Sequence, residues 1–154
     1  MLDDVDLIIL KILQKKARIP NVEVARQVGM APSAVLERIR KLEKRGIIAG
    51  YEVRLNPNRF GRNLVAFITV TLQRRQDEAR CGAALAALAE VQEVHCVAGD
   101  DGILVKVRVA GPEELGRLIR DKISTVEGIR PVRTIIVLGT YKETARIPID
   151  KEGR

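Results

Sequence analysis

The hydrophobic period of this chain changes once, at Asn56-Pro57, and the change dictates a different architecture on each side. Before it, apolar residues recur at helical spacing. Leu2, Val5, Ile8, Ile9, Ile12 and Leu13 predict a first helix, with Asp3 or Asp4 as its cap. Pro20-Asn21 opens a second helix, with Asn21 as cap, Val24, Ala25 and Val28 inward, and Gly29 as its stop. Pro32, suited to a first helical position because its missing N–H would go unpaired anyway, opens a third. That helix runs to about Arg45 and stops at Gly46, with Val35, Ile39 and Leu42 inward. The second and third helices, joined through Val28-Gly29-Met30-Ala31, make a helix-turn-helix. Ile47 to Val53 reads as a strand, turn and strand.

After Asn56-Pro57 the pattern becomes strand-like. Leu64–Leu72, Val91–Ala98, Ile103–Val109 and Val132–Leu138 predict four strands. Helices over 79–89 (Leu85 and Leu88 inward) and Pro112–Ile123 (Leu115, Leu118 and Ile119 inward) lie between them. The order strand-helix-strand-strand-helix-strand is the ferredoxin-like βαββαβ pattern, an antiparallel sheet with both helices on one face. The fold class is therefore α+β, a helix-turn-helix (winged-helix-like) domain followed by a ferredoxin-like domain. The expected boundaries are 1–53 for the first domain, 54–63 for a linker, 64–144 for the second domain and 145–154 for a tail. Leu64, Ala66, Ile68 and Val70 alternate with Val65, Phe67, Thr69 and Thr71, so both sheet faces have apolar content. The face without helices needs a cover, most simply a second copy of the chain.

Charge separates the two halves as well. Residues 1–60 carry 12 Lys/Arg against 7 Asp/Glu, whereas residues 61–154 carry 15 against 13. A basic module beside a near-neutral one suits a polyanion-binding part attached to something else; a solubilising surface is the plainer reading. No apolar run approaches the roughly 18 residues of a membrane span, and the start, Met1-Leu2-Asp3-Asp4, is acidic where a signal peptide is basic. The expected setting is the cytoplasm. Two cysteines, Cys81 and Cys96, and one histidine, His95, leave metal sites, haem ligation and histidine-based triads short of parts.

The outward side of the third helix carries the functional expectation. At 100° per residue, Ser33, Glu37, Arg40, Lys41 and Lys44 cluster opposite Val35, with Arg38 and Arg45 flanking. Cations on one exposed helical face fit a major groove, early side chains reaching base edges and later ones phosphates. Ser33, Glu37, Arg38, Arg40, Lys41 and Lys44 are the candidate contacts to double-stranded DNA. Glu37–Lys41 is also a local i,i+4 pair of the kind a solvated helix carries.

Read in order, several segments resemble one family. They are Val35-Leu36-Glu37-Arg38-Ile39-Arg40-Lys41-Leu42-Glu43-Lys44-Arg45-Gly46-Ile47-Ile48, then Gly50-Tyr51, Leu55-Asn56-Pro57, Ala66-Phe67-Ile68-Thr69-Val70, Gly99-Asp100 and Thr134-Ile135-Ile136-Val137-Leu138. Together they resemble the Lrp/AsnC, or feast/famine, transcription regulators, from Asp3 to about Thr144. The resemblance implies a sequence-specific DNA-binding domain linked to a ligand-sensing domain. It also implies homodimers formed through the sheets, assembling to tetramers or octamers, and amino-acid effectors held between dimers. No other cofactor, no metal and no membrane is implied.

Two positions depart from the family pattern. Ala31 stands where the family has a serine before the proline, a loss of about 1 kcal/mol of capping that Ser33 is expected to offset in part. Gly99-Asp100-Asp101-Gly102 replaces Gly-Asp-Tyr-Asp. Asp100 or Asp101 would then meet an ammonium, backbone N–H groups near Gly99 and Gly102 a carboxylate, and Thr134, by family analogy, would donate a hydroxyl. Asp101-Gly102 is equally an ordinary hairpin turn.

Three other readings follow from the same residues. An RNA-recognition sheet stacks bases on strand aromatics, and only Phe67 lies in a strand. A haem-pathway decarboxylase, similar to this family in both domains, is thought to use histidines; here His95 stands alone, before Cys96, itself expected to be a buried apolar residue. An architectural DNA protein without an effector is the third.

Overall fold

The computed structural model describes residues 2–99 and 102–149. Asp100 and Asp101 lie outside the described residues. The chain forms two compact units, one of Met1–Arg54 with Glu143–Arg154, the other of Leu55–Lys142.

The first unit holds α1 (Asp4–Lys15), α2 (Asn21–Val28) and α3 (Pro32–Lys44). Asp3 caps α1 through a reciprocal box: its carboxylate accepts from the Asp6 N–H at 2.8 Å, and the Asp6 carboxylate accepts from the Asp3 N–H at 3.4 Å. At α2 the cap is Pro20, and Asn21 is the first helical residue rather than the cap. Gly29 (φ 70°) ends α2 in the left-handed conformation. Ile9, Leu10, Leu13, Val24, Ala25, Val35, Ile39 and Leu42 form the core, with Ile47, Ile48 and Ile149 packed against it.

The hairpin expected over Ile47–Val53 is absent: the described residues have no strand there. Gly46 (φ 68°) instead closes α3 with its N–H on Glu43 O (2.9 Å), while the Ile47 N–H bonds Leu42 O (2.9 Å). This is a Schellman closure, in which the residue after the glycine packs back on the last turn. Ile47 and Ile48 are β-branched because they face the core, not because they pair as a strand.

The second unit holds β1 (Leu64–Leu72), α4 (Glu78–Ala86), β2 (Val91–Cys96), β3 (Ile103–Val109), α5 (Pro112–Arg117, continued by a wider helical turn to Ile123) and β4 (Ile129–Ile136). The strands form one antiparallel sheet in the order β2-β3-β1-β4. The fourth strand begins at Ile129, earlier than expected, and its pairing with β1 slips between Thr69 and Val70. Ala66, Ile68, Val70, Val105 and Val107 meet Cys81, Leu85, Leu115, Leu118 and Ile123 on the helical face. The opposite face carries Phe67 between Lys106 and Ile135, and Thr69 between Leu104 and Arg133.

The expected tail does not stand apart. Its described residues pack on the first unit.

Candidate nucleic-acid interface and ligand pocket

Burial of Val35, Ile39 and Leu42 (0%, 6% and 1% exposed) fixes the rotation of α3. Ser33, Glu37, Arg40, Lys41 and Lys44 consequently lie exposed on the far side. Lys41 pairs with Glu37 at 2.7 Å, and its ammonium holds that carboxyl below the usual range. Arg40 and Lys44 make no ion pair among the described residues. Ala31 supplies no side-chain cap, the first turn contains no acidic residue, and Ser33 does not take over the capping bond expected of it. The opening N–H groups of α3 are thereby available to an outside acceptor such as a phosphate oxygen.

Arg38, expected on the nucleic-acid face, turns to α1 instead. Its Nη1 donates to Asp3 Oδ2 at 2.6 Å and to Asp6 Oδ1 at 2.7 Å. Asp6 is nearly buried, and a carboxylate in that position requires a cation. The pairing pushes the guanidinium further up, chiefly through Asp6. The Asp3 carboxyl is held below its usual range, first by the Asp6 N–H and then by Arg38.

A pH dependence follows. Since the folded Asp3 carboxyl titrates below its unfolded value, its contribution is complete above about pH 4 and is lost as pH falls through the lowered value. Arg38→Met is expected to lower the melting temperature of the first unit by about 5 °C at neutral pH. Circular-dichroism melts should show that difference shrinking toward pH 3; an equal difference at both pH values would remove the clip.

Tyr51 carries no role on the sequence alone. In the structure its hydroxyl donates to Glu43 Oε1 at 2.9 Å, and partial burial, then the Glu43 carboxylate, push the phenol up to about 12. The bond ties the chain leaving α3 back onto that helix. No local pattern marks it, because the partners are eight residues apart across a glycine turn.

In the second unit, the ends of β1 and β2, the start of α4, Gly99 and Gly102 surround a cavity of about 310 Å³. Its lining includes Thr71, Arg75, Glu78, Cys96, Gly99 and Gly102. Gly102 has φ 79°, a conformation that favours glycine, and a Cβ there would lie a tight 3.3 Å from the Val70 carbonyl oxygen. Its carbonyl accepts the Val97 N–H at 2.9 Å. Thr134 is exposed on β4, opposite Ile68, and is not part of this lining. Cys96, expected to be buried, is exposed because it ends an edge strand. The Glu78 carboxylate, with desolvation second, pushes its thiol up. His95 is exposed on the face without helices, 3.2 Å from Glu93, which also accepts from Lys106 at 2.8 Å.

Two family models match the chain in the order of these units. A winged helix-turn-helix DNA-binding model covers residues 2–49, and the Lrp/AsnC ligand-binding domain covers residues 65–147. The second alone spans more than half of the chain. This chain belongs to the Lrp/AsnC family. The leucine-responsive regulatory proteins of Salmonella typhimurium and of Escherichia coli K12 are each 37% identical over 150 residues, covering 96% of this chain and 92% of theirs. Among solved structures, Escherichia coli AsnC superposes with a TM-score of 0.87 at 30% identity, covering 96% of this chain and 99% of that one. A feast or famine regulatory protein of Mycobacterium tuberculosis, complexed with L-methionine, gives 0.89 at 34% identity over 97% of this chain and 100% of that one. A Neisseria meningitidis transcriptional regulator, also with L-methionine, gives 0.91 at 27% identity over 97% and 98%. The Lrp/AsnC chain described above is accordingly a transcriptional regulator, with a helix-turn-helix for DNA and a ligand-binding domain joined to it.

Proposed function

We propose that this regulator reads its operator with α3, Arg40, Lys41 and Lys44 meeting phosphates or guanine edges and Ser33 and Glu37 meeting bases near the helix start. The observation that carries this reading is the row of exposed cations on a helix whose rotation is fixed by three buried residues. Arg38 contributes indirectly, by holding α3 against α1. The protein acts as a homodimer joined through the sheet face without helices, where Ile135 is 46% exposed and Phe67 and Leu104 are half-buried. Two copies of α3 then meet successive major grooves about 34 Å apart, on an imperfect palindrome. Pairs of dimers build the larger assembly. The Lrp/AsnC relatives compared with it are regulators, which favours this reading over an enzymatic one.

The effector is a free amino acid in the 310 Å³ cavity. Arg75 and Glu78 put a cation and an anion on one lining, the charge pair that a zwitterion needs. The two neighbours solved with L-methionine support an amino acid as the ligand class. Asp100, Asp101 and Thr134 remain secondary candidates.

Calorimetric titration of the twenty amino acids tests this. At least one is expected to release heat with wild type and to bind about tenfold more weakly to Arg75→Ala and to Glu78→Ala, a loss of about 1.4 kcal/mol each. No heat with any amino acid, with operator affinity and light-scattering mass unchanged by all twenty, would reduce the domain to an assembly module.

A further inference from the structure

The tail after β4 returns to the DNA-binding unit and is bound there by a backbone-reading contact. The Gln14 side chain donates its Nε2–H to Ile147 O at 3.1 Å and accepts the Ile147 N–H at 2.8 Å. A carboxamide that pairs with both polar groups of one residue holds an extended segment as a neighbouring strand would, whatever its side chains. One residue earlier, Arg146 donates to Lys15 O at 3.3 Å. That carbonyl belongs to the last turn of α1, where intrahelical donors run out and a cation is favoured. The Arg146 N–H bonds Thr144 Oγ1 at 3.1 Å, which shapes the approach, and Ile149 packs against the core of the three helices.

We infer that residues 144–149 are a strap that fastens the DNA-binding unit to the ligand-binding sheet by a second tether and thereby sets which half-site spacing the dimer accepts. The first tether is the chain crossing Arg54–Leu55. The second starts at Val137, whose N–H still bonds Val65 O at 2.9 Å, and re-enters the first unit at Glu143. Fully extended, that stretch spans at most about 22 Å. A unit held at both ends by short chains explores less volume than one held at a single end, so its second half-site is met at a higher effective concentration only when correctly placed. This rests on the dimeric DNA-binding reading above.

Two variants of the full-length protein test it, Gln14→Ala and a chain ending at Thr144. The first arm needs no DNA. Trypsin cleavage after Arg146, followed by mass spectrometry, is expected to be about tenfold faster in Gln14→Ala than in wild type, in proportion to the open population. Equal rates would overturn the strap. The second arm compares an operator with one whose half-sites are moved apart by about half a helical turn. Wild type should discriminate between them, and both variants about tenfold less, at unchanged scattering mass and unchanged affinity for a single half-site. Undiminished discrimination in both variants would overturn the strap; a wild type that binds no DNA, or is monomeric, would overturn the dimer reading while the trypsin arm still decides the tail contact.

Discussion

Replacing Arg40 and Lys44 together by glutamate should abolish specific DNA binding and leave the fold intact. Each phosphate left without its cation lowers the slope of log affinity against log salt by about 0.9, so two such phosphates lower it by about 1.8. Charge reversal adds repulsion, and the combined weakening at near-physiological salt is expected to exceed about a hundredfold, or about 2.7 kcal/mol. Both residues are exposed and unpaired among the described residues, and surface substitutions of this kind stay within about 0.5 kcal/mol of wild-type stability. Fluorescence anisotropy on a labelled operator at several salt concentrations, beside a thermal melt, separates the two effects. Wild-type affinity and salt slope in the double variant would put the nucleic acid on another face.

Leu42→Ala is expected to unfold the DNA-binding unit alone. Leu42 is 1% exposed, its side chain sits in the three-helix core, and its carbonyl receives the Ile47 N–H that closes α3. Truncating such a leucine costs about 2–5 kcal/mol. A unit of roughly sixty residues holds only about 3–9 kcal/mol in total at typical per-residue stability. The second unit has its own core cluster, built of residues other than those of the first unit's cluster. Circular dichroism should lose helical signal and calorimetry should show the ligand-binding unit melting as in wild type, with DNA binding gone. A single transition carrying both units together would contradict the separation.

How much of this was legible beforehand depends on where each signal resides. Helix α3 was readable because Pro32, Gly46 and the 35/39/42 spacing all act within one element. The strands are readable because β-branched and apolar residues run together over stretches such as Leu64–Leu72, behind the turn-rich residues 56–63. Ile47 and Ile48 misled because β-branching marks a buried position as readily as a strand, and the Schellman closure needs only the preceding glycine. The pairing of Arg38 is illegible in the sequence for a different reason. Helical angles describe one helix, and the carboxylates of Asp3 and Asp6 reach it only after α1 packs, 35 and 32 residues away in sequence. The same applies with more force to the tail, whose partner Gln14 lies 133 residues from Ile147. Around the cavity, Arg75 and Glu78 are not legible in the sequence because neither belongs to a motif; the topology alone sets them beside Gly99 and Gly102.

The cysteines give the experimenter a reporter without any engineering. Cys81 is fully buried, so a thiol reagent applied to the folded protein meets Cys96 alone. Glu78, with desolvation second, pushes the Cys96 thiol up, which slows its alkylation. Raising the pH speeds labelling at one atom on the cavity wall. Occupancy of that cavity can then be followed as a rate of alkylation, in the unmodified sequence.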